Sequence, residues 1–298
     1  MRAKVGDVAD SRQAESSRVR HSSRSGTLAG TQMYSALSDY HVHTPLCHHA
    51  TGWPVEFARR AVELGLGELG FADHNPMAEY FDDWRMSREE LPRYLEEVEK
   101  ARAEFSQLSI RIGLECDFLA GREAWIEELA GLAEWDFLIG SVHYMPEGWE
   151  VDHPKYVGRH AGHAEEIWTT YWRVYEQCIR SGLFDFVAHP DLPKKFGFRP
   201  EGDLRRFYEP VIAALAETKT PFEINTAGWR KDCREQYPAL EFLQLAHAAE
   251  VPLLINSDAH AVEELGAGFA DAVALAKAAG YTQTGRFRRR EISFVPLP

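Results

Sequence analysis

The chain has 298 residues, of which 45% are hydrophobic and 27% are charged, a composition that excludes collagen-like, coiled-coil and wholly disordered proteins. The 33 Lys and Arg residues against 46 Asp and Glu residues give a formal net charge of −13, which argues against a general binder of nucleic acid or acidic membranes. The 13 histidines are an unusual number, and their positions therefore matter.

Residues 1–33 differ from the rest of the chain, because they are rich in Ser, Arg, Ala and Gly and hold six basic and three acidic residues. Such a segment buries too little apolar surface to offset its ordering entropy. We predict that it is a disordered tail or a mis-called N-terminal extension, with an organelle transit peptide as an alternative. Residues 34–298 are then predicted to form a single domain.

The four cysteines form no CxxC pair, and no apolar run approaches the roughly 18 residues of a transmembrane helix. No apolar secretory signal is visible at the N-terminus. We therefore expect reduced thiols, a cytoplasmic location, and neither a membrane nor a nucleic-acid partner. A monomer and a homodimer both remain open.

From about residue 36, short β-like runs alternate with longer helical patterns. Pro54 suits a first helical turn, and Ser87 with Glu90 forms a capping-box pattern. The predicted strands are 37–41, 69–72, 110–115, 137–142, 184–188, 222–225 and 251–257. The predicted helices are 54–64, 87–105, 122–133, 164–181, 203–217, 239–249 and 261–279. A run at 292–295 could add a short edge strand.

Seven strand-then-helix units imply right-handed crossovers and a parallel sheet. Seven or eight such units in about 260 residues favour closure into a barrel over an open sheet. The sequence therefore predicts an α/β fold, with its functional site at the C-terminal ends of the strands.

Histidines and carboxylates fall at six of the seven predicted strand ends. His41 and His43 point to one face because side chains alternate along a strand, and Asp258 and His260 repeat that spacing. Closure would bring these two pairs together. A lone His at a strand end is ordinary, but independent placement of the whole set is improbable. The set comprises His41, His43, His49, His74, Glu115, His143, His189, Asp258 and His260.

Imidazole and carboxylate groups together suit Zn, Mn or Fe(II). Nine such groups are too many for one ion, and at three or four ligands each they predict two or three divalent ions. Clustered metal ions acidify a bridging water and clamp the oxygens of a phosphoryl group. The predicted chemistry is therefore metal-dependent hydrolysis of a small phosphate monoester.

Seven motifs resemble those of the polymerase-and-histidinol-phosphatase (PHP) superfamily, and in particular its histidinol-phosphate phosphatase branch. The resemblance covers nearly all of the chain after residue 36. The motifs are 41–47 (HVHTPLC), 71–74 (FADH), 113–115 (GLE), 140–144 (GSVHY), 191–197 (DLPKKFG), 225–228 (NTAG) and 257–260 (SDAH).

The resemblance implies a distorted (β/α)7 TIM-like barrel with a trinuclear metal centre. It assigns three ligand groups, which are His41, His43, Glu115 and Asp258; then Glu115, His143 and His189; and finally His49, His74 and His260. His48 is the alternative to His49. The implied reaction is the hydrolysis of L-histidinol phosphate to L-histidinol and phosphate, late in histidine biosynthesis.

In the implied mechanism, a metal-bridging hydroxide attacks phosphorus, and Glu115 bridges two of the ions. We expect Asp258 to handle the proton of the water and His260 or its surroundings to protonate the leaving alkoxide. Cations after strands four to six, together with an amide on strand six, are predicted to contact the substrate. These residues are Arg159, Lys194, Lys195, Asn225 and Arg230. Asp73 and Asp117, each next to a predicted ligand, are expected to orient ligands or to cap helices.

Three other functions stay open. A PHP phosphoesterase could act on another ester, such as a nucleotide or sugar phosphate. An amidohydrolase-like enzyme would hydrolyse C–N bonds on a metal barrel, although the chain lacks the carboxylated lysine that many such enzymes use. The third function is a non-catalytic metal-binding regulator. The full ligand set argues against it, because a regulator does not need open coordination positions.

Overall fold

The computed structural model describes residues 34–298, so the predictions for residues 1–33 lie outside the described part. Seven parallel strands form one sheet and follow each other in chain order. They are β1 (Ser38–Asp39), β2 (Glu68–His74), β3 (Ser109–Asp117), β4 (Phe137–Ser141), β5 (Phe186–Val187), β6 (Phe222–Asn225) and β7 (Leu253–Asn256). The connecting helices are α1 (Pro54–Leu64), α2 (Leu91–Glu104), α3 (Glu123–Ala130), α4 (Ala164–Arg180), α5 (Arg205–Thr218), α6 (Leu240–Ala248) and α7 (Phe269–Ala278).

The sheet is nearly closed into a barrel, because the chain just after β1 meets the chain just after β7. Val42 and Ala259 form a parallel bridge. The His43 N–H donates to the Ala259 carbonyl at 2.9 Å, and the Ala259 N–H donates to the His41 carbonyl at 3.1 Å. The predicted seven-unit α/β barrel is confirmed, and its closure lies at the ends of the strands where the histidines were expected.

Local signals set most helix boundaries. In α1, the Trp53 N–H donates to the Glu56 side chain at 2.8 Å, and Gly65 ends the helix with a φ of 71°. The predicted helix over 261–279 was too long at its N-terminal end, because Gly266 and Gly268 adopt φ values of 65° and 78° that break helical geometry. No helix within residues 34–298 combines the length and the apolar character needed to cross a membrane.

An apolar cluster fills the barrel beneath the strand ends that carry the histidines. Its centre is Phe137, whose ring lies 5.1 Å from that of Tyr40 and 5.8 Å from that of Phe186. A Cβ added at Gly113 would lie 2.4 Å from the Phe137 ring, so this position needs glycine. The cluster consists of Tyr40, Ala72, Phe137, Ile139, Phe186, Ala188, Leu254 and Phe287. This packed interior supports the site from below.

The C-terminal residues form a separate antiparallel hairpin of β8 (Gln283–Arg288) and β9 (Glu291–Pro296). The run at 292–295, which could add a short edge strand, lies in β9, and this strand pairs with β8 over six residue pairs rather than with the main sheet. Phe287 of β8 stacks on Phe186 at 5.5 Å and belongs to the interior cluster. The hairpin therefore contributes a side chain to the barrel interior.

We expect Phe287→Ala to lower the free energy of unfolding by about 3–5 kcal/mol, because it leaves a cavity in this interior. Urea denaturation measures the change. Phe294→Ala is the matched control, since Phe294 lies on the same hairpin and is 47% exposed, against 3% for Phe287. An equal loss of unfolding free energy in both variants would show that Phe287 contributes no more to the barrel interior than the exposed Phe294 does.

Candidate metal centre

The predicted ligands lie close together because neighbouring parallel strands carry them at the same level along the barrel axis. In the register of β2 and β3, His74 lies opposite Glu115. Barrel closure places Asp258 beside the first pair, with its Oδ1 3.7 Å from His41 Nε2 and 3.2 Å from His43 Nε2. The His41–His43 pair after the first strand and the Asp258–His260 pair after the last strand therefore share one site.

Glu115 lies at the centre of the site, buried, with each carboxylate oxygen facing a different set of rings. Oε2 lies 3.3 Å from His41 Nε2 and 3.0 Å from His74 Nδ1. Oε1 lies 3.5 Å from His143 Nε2 and 2.9 Å from His189 Nε2. A carboxylate in this position can bridge two metal ions.

Five groups of side chains within residues 34–298 have their ligand atoms within 4.8 Å of one another, and three of them match the combinations implied by the family resemblance, apart from Asp258 in the first. These three are His41, His43 and Glu115; Glu115, His143 and His189; and His49, His74 and His260. Of the two adjacent histidines, His49 belongs to the third group, whereas the His48 ring lies 3.0 Å from the Asp83 carbonyl and belongs to none of the groups. The geometry therefore favours His49.

The chemistry of these side chains fits metal ions. Buried ring nitrogens of His41, His43, His74 and His189 have no hydrogen-bond partner within residues 34–298, although buried polar atoms are normally satisfied. Burial, together with the nearby His74 and His43, lowers the pKa of His49 to about 4. Burial and His43 likewise hold the pKa of His260 well below its usual value. These low pKa values favour neutral rings at His49 and His260, and the neutral ring is the form that binds metals.

Carboxylates behind the ligands hold their rings in place. Glu223 of β6 is fully buried, and both its oxygens lie 3.1 Å from His41 Nδ1. Asp117 Oδ1 lies 2.8 Å from His143 Nδ1, and Asp73 Oδ1 lies 3.5 Å from His43 Nδ1. Carboxylate–histidine pairs of this kind fix the ring orientation and raise ligand basicity.

The carboxylates of the centre are ionised. Burial opposes the charge of Glu115, but the adjacent His41 and His74 outweigh it and hold the pKa of the carboxyl well below its usual value. Burial also opposes the charge of Asp258, but the adjacent His41 and His43 outweigh it and hold the pKa of this carboxyl well below its usual value. Asp258 also has a φ of 51°, an uncommon backbone conformation that strained functional positions often adopt.

A cleft of about 400 Å³ opens over the centre and is lined by seven of the nine candidate ligands. Of the five predicted substrate contacts, Lys195 lines this cleft. Arg159 instead lies on the surface, over the rings of Trp149 and Tyr156 at 4.9 and 5.2 Å.

The other three predicted substrate contacts point into the protein. Lys194 is buried and pairs with Asp191 at 3.2 Å. Arg230 donates to the carbonyls of Ser257 and Asp258 at 2.9 and 3.2 Å. Asn225 is buried and donates to Asp258 Oδ2 at 3.2 Å. Their placement fits positioning of the loops and of Asp258, rather than contact with substrate.

The sequence analysis missed several side chains that line the cleft. They are Arg85, Tyr144, Glu150, Asp152, His153, Lys231 and Tyr237. All lie in segments between the regular strands and helices. The only available signal was that these segments follow strands whose C-terminal ends face the site.

The chain matches a family model for the PHP domain over residues 39–227. It is 40% identical over 265 residues to a relative from Deinococcus radiodurans named "Probable histidinol-phosphatase", covering 86% of this chain and 99% of that protein. It is 27% identical over 257 residues to the histidinol-phosphatase of Bacillus subtilis, covering 76% of this chain and 95% of that protein.

Among solved structures, the fold is similar to a histidinol phosphate phosphatase from Lactococcus lactis complexed with Zn, L-histidinol and phosphate. The TM-score is 0.74 at 23% identity, and the match covers 87% of this chain and 99% of the other. The family match spans the strands that carry most of the candidate ligands. The chain belongs to the PHP domain family.

Proposed function

We propose that this protein is a histidinol-phosphatase, which hydrolyses L-histidinol phosphate to L-histidinol and phosphate as a late step of cytoplasmic histidine biosynthesis. The observation that carries the proposal is the gathering of eight other candidate ligands around Glu115, below an open cleft. The relative from Deinococcus radiodurans, of which the chain covers 99%, supports the choice of substrate.

We propose that two or three divalent ions, of Zn, Mn or Fe, are held by the three groups of ligands described above. Bound there, such ions lower the pKa of water and neutralise negative charge on phosphoryl oxygens. The buried carboxylates Glu223, Asp117 and Asp73 keep the ligand rings oriented.

Asp258 is the proposed proton carrier. Its side chain is 17% exposed at the floor of the cleft, and Asn225 fixes its Oδ2 at 3.2 Å. His260 belongs to the third group of candidate ligands, and a ring nitrogen that holds a metal ion cannot donate a proton to the leaving oxygen. We therefore assign both steps to Asp258, which accepts a proton from the attacking water and returns it to the departing alkoxide.

Two lysines line the cleft, and each ammonium group has three N–H donors, so Lys195 can hold an ion pair and still bind a phosphate oxygen. Lys195 lies 2.8 Å from Asp152, and Lys231 also lines the cleft. We propose that these ammonium groups bind phosphate oxygens and that Glu115 serves the reaction as the bridge between ligand groups.

Phosphate release by metal-reconstituted protein tests this function. We expect kcat/KM for L-histidinol phosphate to exceed that for a sugar phosphate and a nucleotide monophosphate by at least about 10²-fold. Protein stripped of metal with a chelator is expected to lose activity and to regain it with Zn, Mn or Fe. Equal rates across the panel would favour another PHP phosphoesterase, and full activity without metal would contradict both functions.

A further inference from the structure

Most charged side chains that line the cleft have a partner of opposite charge. The neutralising pairs are Arg85–Asp117 and Lys195–Asp152, both at 2.8 Å. Glu115 and Asp258 face the histidines. Within residues 34–298, this leaves one lining anion, Glu150, and one lining cation, Lys231, that form no ion pair. A substrate with one negative and one positive group would match both.

A short hairpin after β4 fixes the position of Glu150. The Val151 N–H donates to the carbonyl of the candidate ligand His143 at 2.8 Å. Glu150 and Tyr144 form an antiparallel bridge, and the Tyr144 hydroxyl lies 2.9 Å from Glu150 Oε1. Because the hairpin starts at a candidate ligand, the Glu150 carboxylate has a defined place in the wall of the cleft.

The hydrogen bonds around Glu150 leave it short of donors. Tyr144 has a single hydroxyl proton, and its oxygen contacts both Asp82 and Glu150. That oxygen lies 2.5 Å from Asp82 Oδ2 and 2.9 Å from Glu150 Oε1, so the single proton is shared and Glu150 accepts at most one hydrogen bond from it. Glu150 has no donor other than Tyr144 within residues 34–298. Burial and the charge of Asp152 raise the pKa of Glu150, an effect that a bound cation would offset.

Aromatic rings lie in the same wall of the cleft. The rings of Trp84 and His153 are 5.0 Å apart, and both residues line the cleft with Glu150. Flat rings beside a carboxylate suit a substrate that carries both a planar ring and a positively charged group, because aromatic rings stack on other rings and their faces attract positive charge.

We propose that Glu150 is a specificity-determining residue, which selects phosphate monoesters that carry a positively charged amino group close to the ester. The inference rests on the proposed function, since L-histidinol phosphate has an ammonium group on the carbon next to the phosphorylated one. Sugar phosphates lack this group, and their binding leaves the half-buried carboxylate without a donor.

The test compares two esters in metal-reconstituted full-length protein. One is L-histidinol phosphate, and the other is 3-(imidazol-4-yl)propyl phosphate, which lacks only the amino group. We expect Glu150→Gln to lower kcat/KM for the first ester by about tenfold to a hundredfold, the range of one charge-assisted hydrogen bond. The value of kcat/KM for the second ester should change by less than about twofold, because that ester has no ammonium group for Glu150 to bind.

Glu147→Gln is the matched control, because Glu147 lies in the same hairpin, is exposed and does not line the cleft. This variant should leave kcat/KM unchanged for both esters. Equal losses of both esters in Glu150→Gln, or no loss of either, would overturn the role of Glu150. Wild-type protein that hydrolyses p-nitrophenyl phosphate but not L-histidinol phosphate would overturn the proposed function and this inference with it, before any variant is made.

Discussion

Replacing Glu115 with Gln is expected to lower kcat by at least about 10³-fold, at the upper end of what removing one preorganised electrostatic group costs, and to reduce the bound metal. Both oxygens of Glu115 face ring nitrogens, with His74 at 3.0 Å on one side and His189 at 2.9 Å on the other. A glutamine would keep one acceptor and turn an amide N–H₂ toward the other set of rings. Steady-state kinetics and metal analysis of purified protein measure the two effects.

Glu68→Gln is the control for loss of a buried acid. Glu68 lies at the opposite end of the β2–β3 pairing, opposite Ser109, where it pairs with Arg111 at 3.1 Å. It should lose stability while keeping its metal and kcat. A Glu115→Gln protein with full metal content and near-normal kcat would remove Glu115 from the centre.

The candidate ligands could be predicted because they depend on short-range rules. Side chains alternate along a strand, so His41 and His43 share a face whatever the rest of the chain does. Parallel strands carry their functional groups at one end, so His74 and Glu115 needed no knowledge of the loops. Barrel closure was inferred from the number of strand–helix units, and it was what united His41 with Asp258.

The substrate contacts were harder to predict because loop conformations depend on the tertiary partners of each side chain. Lys194 and Lys195 are adjacent in sequence, yet Lys194 is buried against Asp191 and Lys195 lines the cleft. Arg230 and Lys231 divide in the same way, with Arg230 bonded to the Ser257 carbonyl. Charge and sequence position alone could not separate the members of these pairs.

Glu150 is a second example of a residue whose role could not be predicted from its position in the sequence. Nothing in the sequence around residue 150 indicates a functional carboxylate. Its significance depends on Arg85, which neutralises Asp82 and Asp117 from a loop some 60 residues earlier in the chain and leaves Glu150 without a cation. Charge balance inside a cleft is a property of the folded molecule, because it requires the pairings of all the lining groups.

Replacing Asp258 with Asn is expected to lower kcat for L-histidinol phosphate by about 10²–10⁴-fold, the usual contribution of a positioned acid–base group. Asn is nearly the same size and tolerates the φ of 51° at this position, so the backbone should be preserved. It keeps a carbonyl oxygen for a ligand role but cannot accept the proton of the attacking water. Metal analysis beside kinetics separates the two roles.

Retained metal with lost turnover would assign Asp258 to proton transfer, whereas loss of both would limit it to holding metal. Asp271→Asn, an equal change at an exposed position of α7, is the control and should behave as wild type. An Asp258→Asn protein with full metal and near-normal kcat would require the proton to leave through solvent. That result would remove Asp258 from the chemical step and leave it as a structural neighbour of His41 and His43.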